Sequence, residues 1–377
     1  MRIAVNTRVL LPDKMEGIGV FTHEVMRRMV IQHPEHEFLF FFDRPYDKRF
    51  VYASNVQPIV AGPQARHPFL FYMWFEYTVA QLLKKHKPDV FLSPDGYLSL
   101  RSSVTQVPVI HDLNFEYFPA FFSRLNRMYY HYFFPKYAHK AKRIATVSEY
   151  SKSDIHRLYG IAPDRIDVVG NGVDELFQPI DEYQKSVVRE KYSQGKPFLV
   201  FVGGLYLRKN LMNMLRAFDR FKQKTQSDWK FLIAGKSYHE TVALHKLHAQ
   251  LESREDIVFL GRLSDRQEIR LLLAASEALF YVSLFEGFGL PIVEAMRSGT
   301  AVITGDCTAM PEIADNAALF ANPNDVEQIA KVLQELSENN ALRNQLAHNG
   351  RQRANLYSWD LVENRLWNSI CMATQNP

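Results

Sequence analysis

Cysteine is the rarest residue in this sequence: Cys307 and Cys371 are the only two among 377 residues. Two cysteines cannot build a disulfide framework, and such low usage is typical of a reducing compartment. No apolar run approaches about eighteen residues, which excludes a membrane-spanning helix. The first residues, MRIAVNTRVLLPDKMEG, predict a strand and lack the long apolar core of a signal peptide. We therefore expect a cytoplasmic protein, with peripheral contact at the inner membrane as an open alternative.

Metal-binding patterns are missing as well. The sequence contains no Asp-x-Asp, no His-Glu-x-x-His and no Cys-x-x-Cys, spacings that bring metal ligands together. We therefore predict no metal site and no bound cofactor, so that basic side chains and helix N-termini must hold any phosphate. The net charge of +4 suits anionic substrates but is no nucleic-acid signature, and no nucleic-acid partner is expected.

Short β-rich runs alternate with helical patterns along the chain, in two series. Such alternation is typical of parallel sheets with helices on both faces. The expected fold class is α/β, with two Rossmann-like domains facing a central cleft. The predicted domains are 1–172 and 195–356, joined by a polar linker, 173–194. The predicted strands are 2–6, 37–42, 90–93, 107–110, 143–147 and 166–169, then 198–202, 230–234, 257–260, 278–282, 301–304 and 318–320.

The run FEGFGLPIVE (285–294) carries the strongest local signal. It follows an apolar strand pattern, its two glycines allow a tight turn, and its proline suits the first turn of a helix. A strand, a turn and a helix N-terminus together favour an anion, typically phosphate. Two carboxylates at that place, Glu286 and Glu294, indicate a ligand with many hydroxyls and a phosphate, such as a nucleotide sugar. Two solvated acids beside a loop are the alternative.

A second signal follows the predicted strand 198–202. The pair Gly203–Gly204 is followed by Arg208 and Lys209, which open the next predicted helix. Cations at a helix N-terminus oppose the helix dipole, so this placement favours a bound anion such as a diphosphate. A fixed cation there stabilises a departing diphosphate more in the transition state than in the ground state. The alternative is an ordinary surface Arg-Lys pair.

Six motifs along the chain resemble one known family. FEGFGLPIVE is preceded by IHDLNFEYFP (110–119), TVSEYSKSDI (146–155), VVGNGVD (168–174), FVGGLYLRKN (201–210) and FLGRLSD (259–265). This order and spacing resemble the retaining glycosyltransferases of family 4, which have the GT-B fold, and most of all the bacterial mannosyltransferases of polysaccharide assembly. The resemblance implies that a final helix, within 357–377, crosses back to the first domain.

By that resemblance, the second domain binds the donor nucleotide sugar. Glu294 is expected to accept hydrogen bonds from the ribose hydroxyls, and Glu286 from hydroxyls of the transferred sugar, since one carboxylate accepts from two adjacent hydroxyls. The sugar and the diphosphate are expected to meet the backbone amides of Phe288, Gly289 and Leu290.

The resemblance also implies where the nucleobase binds. The base is expected to meet mainly backbone groups at strand ends, at Gly235, Arg262 and Leu263, so that side chains encode its identity poorly. Ordinary turn residues are the alternative at these positions. The chain departs from the family at Gly204, where many relatives have an arginine, and Arg208 is the candidate replacement.

The first domain is expected to bind the acceptor. His111 and Asp112 follow strand 107–110 at its carboxyl end, where ligands bind in open α/β sheets. By resemblance, His111 contacts the donor sugar or the acceptor. Asp112 either orients that imidazole or receives the acceptor proton, and a merely packed histidine is the alternative. The N-terminal glycine loop, with Gly17 and Gly19, is expected to abut the donor phosphate and the acceptor.

Two aromatic segments each allow two interpretations. Residues 121–143 contain six Lys or Arg and no acid, with aromatic residues between them. One interpretation is a surface for a lipid-linked acceptor with an anionic head group. The second, which the sequence slightly favours, is a buried helix kinked at Pro135 with a solvated basic end. The segment 66–78 is predicted to be either core or acceptor groove.

The expectation is thus a metal-independent, retaining glycosyltransferase that moves a hexose, preferably mannose, from a nucleotide sugar to a glycan or lipid-linked glycan acceptor. The resemblance implies attack on the face from which the diphosphate leaves, and the sequence offers no convincing nucleophile for a double displacement. GDP-mannose is the favoured donor and a UDP-hexose its rival. The sequence is also compatible with a nucleotide-sugar epimerase, a phosphorylase-like enzyme or a non-catalytic glycan-binding relative.

Overall fold

The computed structural model describes residues 1–12, 15, 17–236, 241–263 and 265–375. These residues form two compact units. Unit 1 consists of Met1–Gly172 and Ser358–Pro377, and unit 2 of Val173–Tyr357. Each unit is built around its own sheet.

Seven parallel strands of the described residues form the sheet of unit 1. They are β1 (Arg2–Asn6), β2 (Glu37–Phe42), β3 (Val56–Val60), β4 (Val90–Ser93), β5 (Thr105–Ile110), β6 (Ile144–Thr146) and β7 (Ile166–Val168). Their order is β3-β2-β1-β4-β5-β6-β7, with Ile3 opposite both Phe38 and Val90. The strand order reverses between β1 and β4, and open α/β sheets bind ligands at the carboxyl ends beside such a switch point.

Six parallel strands of the described residues form the sheet of unit 2. They are β8 (Phe198–Val202), β9 (Lys230–Ala234), β10 (Ile257–Gly261), β11 (Ala278–Tyr281), β12 (Ala301–Gly305) and β13 (Leu319–Ala321). Their order, β10-β9-β8-β11-β12-β13, puts the switch point between β8 and β11. The predicted α/β class with two Rossmann-like parallel sheets is confirmed.

Helices connect most of the successive strands in both units. Those of the first part of unit 1 are α1 (Gly17–Gln32), α2 (Pro68–Met73), α3 (Ala80–His86), α4 (Asn114–Tyr117), α5 (Arg124–Lys140) and α6 (Glu149–Tyr159), with a π-helical segment, Trp74–Val79, between α2 and α3. Those of unit 2 are α7 (Glu182–Ser193), α8 (Leu211–Thr225), α9 (Thr241–Gln250), α10 (Arg266–Ala275), α11 (Leu290–Arg297), α12 (Met310–Ala314), α13 (Val326–Glu338) and α14 (Asn340–Ala354). The chain then returns to unit 1 through α15 (Trp359–Thr374).

Helix α15 fills a face of unit 1. It packs against α1 and against strands of the unit 1 sheet. Four apolar side chains at helical spacing, Trp359, Val362, Leu366 and Ile370, are buried along it. The approach is close, because a Cβ atom added to Gly172 would overlap the Trp359 ring. Of the predicted final segment 357–377, Asn376 and Pro377 lie outside the described residues, as does Ser264 of the FLGRLSD motif.

Two elements differ from the expectation based on the sequence. Strand β3, VQPIV, is absent from the predicted strands. The polar stretch 173–194, predicted as a linker, contains helix α7, which begins with a capping box between Asp181 and Gln184. Arg189 of α7 donates to Glu277 at 2.7 Å, so this stretch is tied to the body of unit 2.

Candidate functional site

Two loops of unit 2 leave the switch point of its sheet. The first, 203–210, follows β8 and ends in a short 3₁₀ turn, Leu207–Lys209. Arg208 and Lys209 therefore precede helix α8, whereas the sequence predicts that they open it. The second loop, 282–289, follows β11 and leads into α11. Because β8 and β11 are neighbours, their loops lie side by side.

Hydrogen bonds fasten the two loops to each other. The Leu284 amide donates to the Arg208 carbonyl at 2.8 Å. Asn210 has a φ of 62°, a left-handed conformation that asparagine tolerates better than most residues. Its side-chain amide donates to the carbonyls of Val282 at 3.0 Å and Pro323 at 2.7 Å. These contacts fix the basic residues of the first loop against the second.

Three predicted site residues meet where the loops touch. Lys209 Nζ donates to Glu286 Oε1 at 2.6 Å, and an Arg208 guanidinium nitrogen donates to Glu286 Oε2 at 3.0 Å. Arg208 also donates to the Phe285 carbonyl at 3.0 Å. Lys209 Nζ also donates to the Tyr281 hydroxyl at 2.5 Å. The sequence predicts Tyr281 only as part of a strand. Lys209, Tyr281 and Glu286 are all buried.

The electrostatics of this group make Glu286 a permanent anion. Burial by itself would raise the carboxyl pKa, but Lys209 and Arg208 outweigh that effect and lower the pKa to about 2. Burial, and then the Glu286 charge, raise the pKa of Tyr281 well above its ordinary value. The phenol therefore stays protonated and Glu286 only accepts hydrogen bonds. Two cations thus hold one ionised carboxylate at the switch point.

The turn into α11 has the predicted strand, glycine and helix arrangement. Gly289 has a φ of 97°, and a Cβ atom there would lie 2.9 Å from Ile292 Cδ1, so the position favours glycine. Helix α11 starts at Leu290, and the first amides of a helix lack partners within it. Phe288 is buried, with its ring 5.5 Å from that of Tyr357. The amides predicted to face a sugar diphosphate thus belong to a conformationally fixed turn.

Glu294 lies in the middle of α11, half-buried. Its Oε1 is 3.8 Å from an Arg266 guanidinium nitrogen, which is also 3.5 Å from Asp174. The Arg266 guanidinium lies over the Phe177 ring, 5.5 Å from its centroid. Burial raises the pKa of Glu294 to about 7, because the charge of Arg266 only partly compensates. Unlike Glu286, this carboxyl titrates near neutral pH.

The remaining predicted donor residues lie at neighbouring strand ends. The Gly235 amide donates to the carbonyl at the end of β10, at 2.8 Å, and the Gly203 amide to the end of β9, at 3.0 Å. A Cβ atom on Gly235 would overlap the Gly203 carbonyl oxygen, so this close approach requires glycine. Gly204, just beyond, accepts from the Tyr206 amide at 2.9 Å. The two residues that follow β10 are Arg262, which is exposed, and Leu263, which is partly buried.

The predicted acceptor residues lie in unit 1, after β5. The Nε2 atom of His111 is 2.8 Å from the Pro94 carbonyl, and its ring meets the edge of Phe21 at 4.9 Å. Burial lowers the pKa of His111, so the ring is neutral at neutral pH. Asp112 accepts from the Asn114 amide at 3.0 Å. The hydrogen bond that orients the imidazole is thus one that it donates to a backbone carbonyl.

Gly17 and Gly19 lie in the first turn of α1, whereas the sequence suggests a loop before that helix. A Cβ atom on Gly19 would lie 3.1 Å from the Val9 carbonyl oxygen. Phe21, one turn further along α1, contacts His111. The start of α1 is therefore held near the carboxyl end of β5.

Two family models match the chain over most of its length. Glycosyltransferase Family 4 matches residues 15–175, and Glycosyl transferases group 1 matches residues 184–353. The protein belongs to the family 4 glycosyltransferases of the GT-B fold.

Relatives of this glycosyltransferase extend over nearly the whole chain. It is 26% identical over 358 residues to O-antigen chain mannosyltransferase B of Escherichia coli, covering 92% of this chain and 93% of the relative. It is 26% identical over 286 residues to O-antigen chain mannosyltransferase RfbU of Salmonella typhimurium, covering 74% and 75%. A solved structure of sucrose-phosphate synthase from Thermosynechococcus elongatus matches with a TM-score of 0.78 at 16% identity, covering 99% of each chain. That last likeness bears on the fold alone.

The described part of the glycosyltransferase contains neither a membrane-spanning helix nor a cluster of metal ligands. None of its helices combines the length and apolar character that crossing a membrane requires. Within the same residues, no group of three or more His, Cys, Asp or Glu side chains is arranged to hold a metal ion.

The glycosyltransferase also contains a buried charged pair that the sequence does not reveal. Arg8 donates to Asp95 Oδ2 at 2.6 Å, and Asn6 donates to Asp95 Oδ1 at 2.7 Å. These residues end or follow β1 and β4, at the switch point of unit 1. Three aromatic rings surround the Arg8 guanidinium, those of Phe71, Phe75 and Tyr97. The sequence signal that could have indicated this pair was the presence of polar residues directly after two hydrophobic strands.

Proposed function

We propose that the protein is a retaining hexosyltransferase that moves mannose from GDP-mannose to a glycan or lipid-linked glycan acceptor, without a metal ion. The observation that carries the proposal is the buried group of Lys209, Arg208 and Glu286 beside the glycine turn of α11. It combines fixed positive charge for a diphosphate with an ionised acceptor for sugar hydroxyls.

The names of the relatives support the sugar and the acceptor. Both O-antigen chain mannosyltransferases align across most of this chain. A mannosyl donor and a growing polysaccharide as acceptor are the simplest extension of those names. The base of the nucleotide rests on the sequence resemblance, and a UDP-hexose remains the rival donor.

The proposed roles on the donor side follow from charge. The diphosphate approaches Lys209, Arg208 and the N-terminus of α11, whose partial positive charge adds to that of the cations. Negative charge grows on the diphosphate as the glycosidic bond breaks, so these groups stabilise the transition state more than the bound substrate. Glu286 accepts hydrogen bonds from sugar hydroxyls, and Glu294 accepts from the ribose diol.

On the acceptor side, His111 is proposed to contact a substrate hydroxyl. Because the Pro94 carbonyl can only accept, the His111 Nε2 atom carries the hydrogen in their hydrogen bond. The second ring nitrogen, Nδ1, then bears the lone pair of a neutral imidazole. It is therefore suited to accept a hydrogen bond from a hydroxyl group.

Retention is proposed to arise by attack on the same face from which the diphosphate departs. The departing diphosphate then takes the proton of the acceptor hydroxyl, and no glycosyl-enzyme forms. An NMR spectrum of the product should show the anomeric configuration of the donor sugar. Inversion, or a glycosylated peptide detected by mass spectrometry during turnover, would contradict this mechanism.

Thermal stabilisation in the presence of EDTA tests the donor. A ligand that binds only the folded state raises the melting temperature, so GDP and GDP-mannose should raise it and UDP and UDP-glucose should not. The shift should vanish in Lys209→Ala and Glu294→Ala and persist in Lys331→Ala, which changes an exposed lysine of α13.

Different results would redirect the assignment. A shift with UDP compounds alone would replace GDP-mannose by the rival donor. No shift with any nucleotide would favour a non-catalytic glycan-binding protein. Interconversion of free nucleotide sugars without an acceptor would indicate an epimerase.

A further inference from the structure

Unit 1 exposes large apolar side chains on two adjoining helices. Phe69 of α2 is 64% exposed, and Leu125, Met128 and Tyr132 of α5 are 53%, 60% and 57% exposed. The three α5 residues are spaced by three and four, so they form one stripe along the helix. These four residues are called the α2–α5 surface here.

The stripe lies outside the core of unit 1. The opposite side of α5 supplies that core with Phe134 and Tyr137, both buried, while the buried Tyr129 lies beside the stripe. Helix α5 is therefore apolar on two sides, one covered and one exposed, a pattern that a helix in contact with water alone does not need. Exposed apolar patches of this kind mark contact with another body.

The two helices shape this surface into a groove. Phe71 and Tyr72 of α2 pack against Tyr129 and Phe133 of α5, with ring centroids 5.7 and 6.0 Å apart. Between the helices lies an open groove of about 560 Å³. Its lining includes Pro68, Leu125, Met128 and Tyr132. The exposed apolar atoms are thus continuous across α2 and α5.

Positive charge borders the apolar side chains. Arg66, beside α2, and Arg124, Arg127 and Lys136, on α5, are all exposed. The Lys136 ammonium lies 3.3 Å from the centroid of the Tyr132 ring. Neither of the segments 48–75 and 117–148, which contain both helices, has a single Asp or Glu. The partner of this surface must accordingly be apolar and negatively charged.

A membrane leaflet with anionic lipids meets both requirements. Amphipathic helices that lie in the membrane interface bury aromatic and aliphatic side chains at the acyl boundary and place Lys and Arg at the lipid phosphates. Tyrosine and lysine suit that boundary, because each has an apolar stem and a polar tip. A water-soluble anion would leave the four apolar side chains uncovered.

We propose that the α2–α5 surface docks the protein on membranes that contain anionic lipids. Phe69, Leu125, Met128 and Tyr132 enter the interface, while the flanking arginines and Lys136 contact phosphate groups. This contact lies in unit 1 and uses none of the residues assigned to the donor, so it stands independently of the proposed reaction.

Vesicle sedimentation tests the proposal with the full-length protein. Vesicles of phosphatidylcholine mixed with phosphatidylglycerol should bind it, and vesicles of phosphatidylcholine alone should bind it far more weakly. Added salt should weaken the binding, because it screens charges at the surface. Equal binding to both vesicles, or no binding at low salt, would overturn the proposal.

Two double variants separate the apolar and the charged contributions. Leu125→Ser with Met128→Ser, and Arg124→Glu with Arg127→Glu, should each lower the vesicle partition coefficient by about tenfold or more. The apolar control is Tyr183→Ser with Val187→Ser on α7, where the side chains are 77% and 51% exposed. The charge control is Lys246→Glu with Lys331→Glu, both exposed in unit 2.

The variants must also keep their fold. The circular dichroism melting curves and the nucleotide-induced thermal shift of the two test variants should match those of the unmodified protein, since these variants change only exposed side chains of unit 1. Unchanged vesicle binding in both test variants would show that another surface docks. A lipid-free dimer that only the α2–α5 variants dissociate, without vesicle binding, would assign the surface to a second copy of the chain instead.

Discussion

Among single residues, Glu286 has the most constrained environment in the candidate site. It is buried, ionised, and held by two cations from a loop that lies more than seventy positions earlier in the chain. Lys209 and Arg208 were each identified in the sequence by a local motif. The ion pairs among them were not predictable, because motif spacing does not tell which side chains of two loops will touch. The contact of Tyr281 was not predictable for the same reason, because this residue belongs to an apolar strand that is typical of a hydrophobic core.

Replacing Lys209 should separate folding from catalysis. Lys209→Met leaves the buried Glu286 with one cation fewer, so we expect a loss on the order of 2–3 kcal/mol in the free energy of unfolding. Adding Glu286→Gln removes the uncompensated charge and should restore part of that loss. Glycosyl transfer should stay undetectable in both variants. Urea denaturation and initial-rate assays measure the two effects.

Lys331→Met, on the exposed face of α13, is the control for the loss of a lysine and should change stability by less than about 0.5 kcal/mol. A Lys209→Met protein as stable as the unmodified one would show that Arg208 alone neutralises Glu286.

Glu294 should make nucleotide binding depend on pH. Its pKa of about 7 means that it is ionised above neutral pH, where the proposed donor complex has it accept two ribose hydrogen bonds, and protonated below. Nucleotide affinity should therefore fall about fivefold to tenfold between about pH 8 and pH 6. Calorimetric titration of the protein and of Glu294→Gln measures this effect.

The variant also serves as the control for that experiment, because the nucleotide phosphate titrates equally with both proteins. A pH dependence that Glu294→Gln retains in full must come from the phosphate or from another side chain.

At the scale of elements, the strands other than β3 were predictable from the sequence. Both faces of a parallel sheet are buried, so its strands stand out as apolar runs such as EFLFFF and FLVFV. Strand β3, VQPIV, contains Pro58, which normally argues against a strand. The sheet order explains the exception, because β3 lies at the edge and needs hydrogen bonds on one side only. Edge position is a tertiary property that local patterns do not contain.

Helix α7 was not predicted from the sequence for a different reason. Its sequence, EYQKSVVREKYS, buries only Val188 and Ser193, so its apolar periodicity is weak. The capping box from Asp181 to Gln184 was the available signal. A mostly exposed helix and a linker share the same polar composition, so composition alone cannot distinguish them.

The contact between the ends of β8 and β9 should depend on glycine. Gly235→Ala places a methyl group on the Gly203 carbonyl oxygen, so the two strand ends must separate, and we expect a loss on the order of 3 kcal/mol in the free energy of unfolding. Gly261→Ala is the matched control. Gly261 has a φ of 71° with open space around it, so backbone strain alone should cost about 1 kcal/mol. Equal losses in urea denaturation would mean that the close approach contributes nothing.

Helix α15 carries a buried acid whose charge opposes folding at higher pH. Burial raises the pKa of Glu363 to about 7, with a further contribution from Asp360 that Arg28 opposes. Its Oε1 lies 3.2 Å from His33 Nε2, and burial lowers the pKa of His33. At neutral pH the histidine is therefore uncharged and gives little compensation for an ionised Glu363.

The sign of the resulting pH dependence is fixed. The folded state holds the Glu363 proton more tightly than the unfolded state. The stabilisation that this proton gives the folded state is therefore complete below about pH 4.5 and is lost as pH rises through about 7. Glu363→Gln cannot ionise, so its stability relative to the unmodified protein should rise between about pH 5 and pH 8 by on the order of 2 kcal/mol. Urea denaturation at both pH values measures the difference. A constant difference would show that Glu363 ionises freely in the folded protein.

For the whole molecule, the two units have separate cores and separate candidate functions. The proposed donor residues lie in unit 2, and the proposed acceptor residues and the α2–α5 surface lie in unit 1. A perturbation of one core should therefore leave ligand binding by the second unit intact. The alternation of strands and helices identified both sheets from the sequence. The buried Arg8–Asp95 pair depends on the sheet order, which local patterns do not specify.

A core variant of α15 tests this separation. Leu366 is fully buried, so Leu366→Ala should lower the stability of unit 1 by about 2–5 kcal/mol. In differential scanning calorimetry, this change should move the transition of unit 1, and added nucleotide should move that of unit 2. Leu361→Ala, at an exposed position of the same helix, is the control and should move neither. One transition that both treatments shift alike would show that the units unfold together.

The order of the segments along the chain also determines when unit 1 can complete its fold during synthesis. The ribosome makes the strands of unit 1 first, then all of unit 2, and only afterwards the helix from Trp359 to Thr374 that fills the remaining face of unit 1. At roughly 5–20 residues per second, the nascent first unit waits on the order of ten seconds or more for that helix. During this interval the contact sites of Trp359, Val362, Leu366 and Ile370 are uncovered. Until that helix is synthesised, the nascent first unit exposes apolar surface of the kind that chaperones bind.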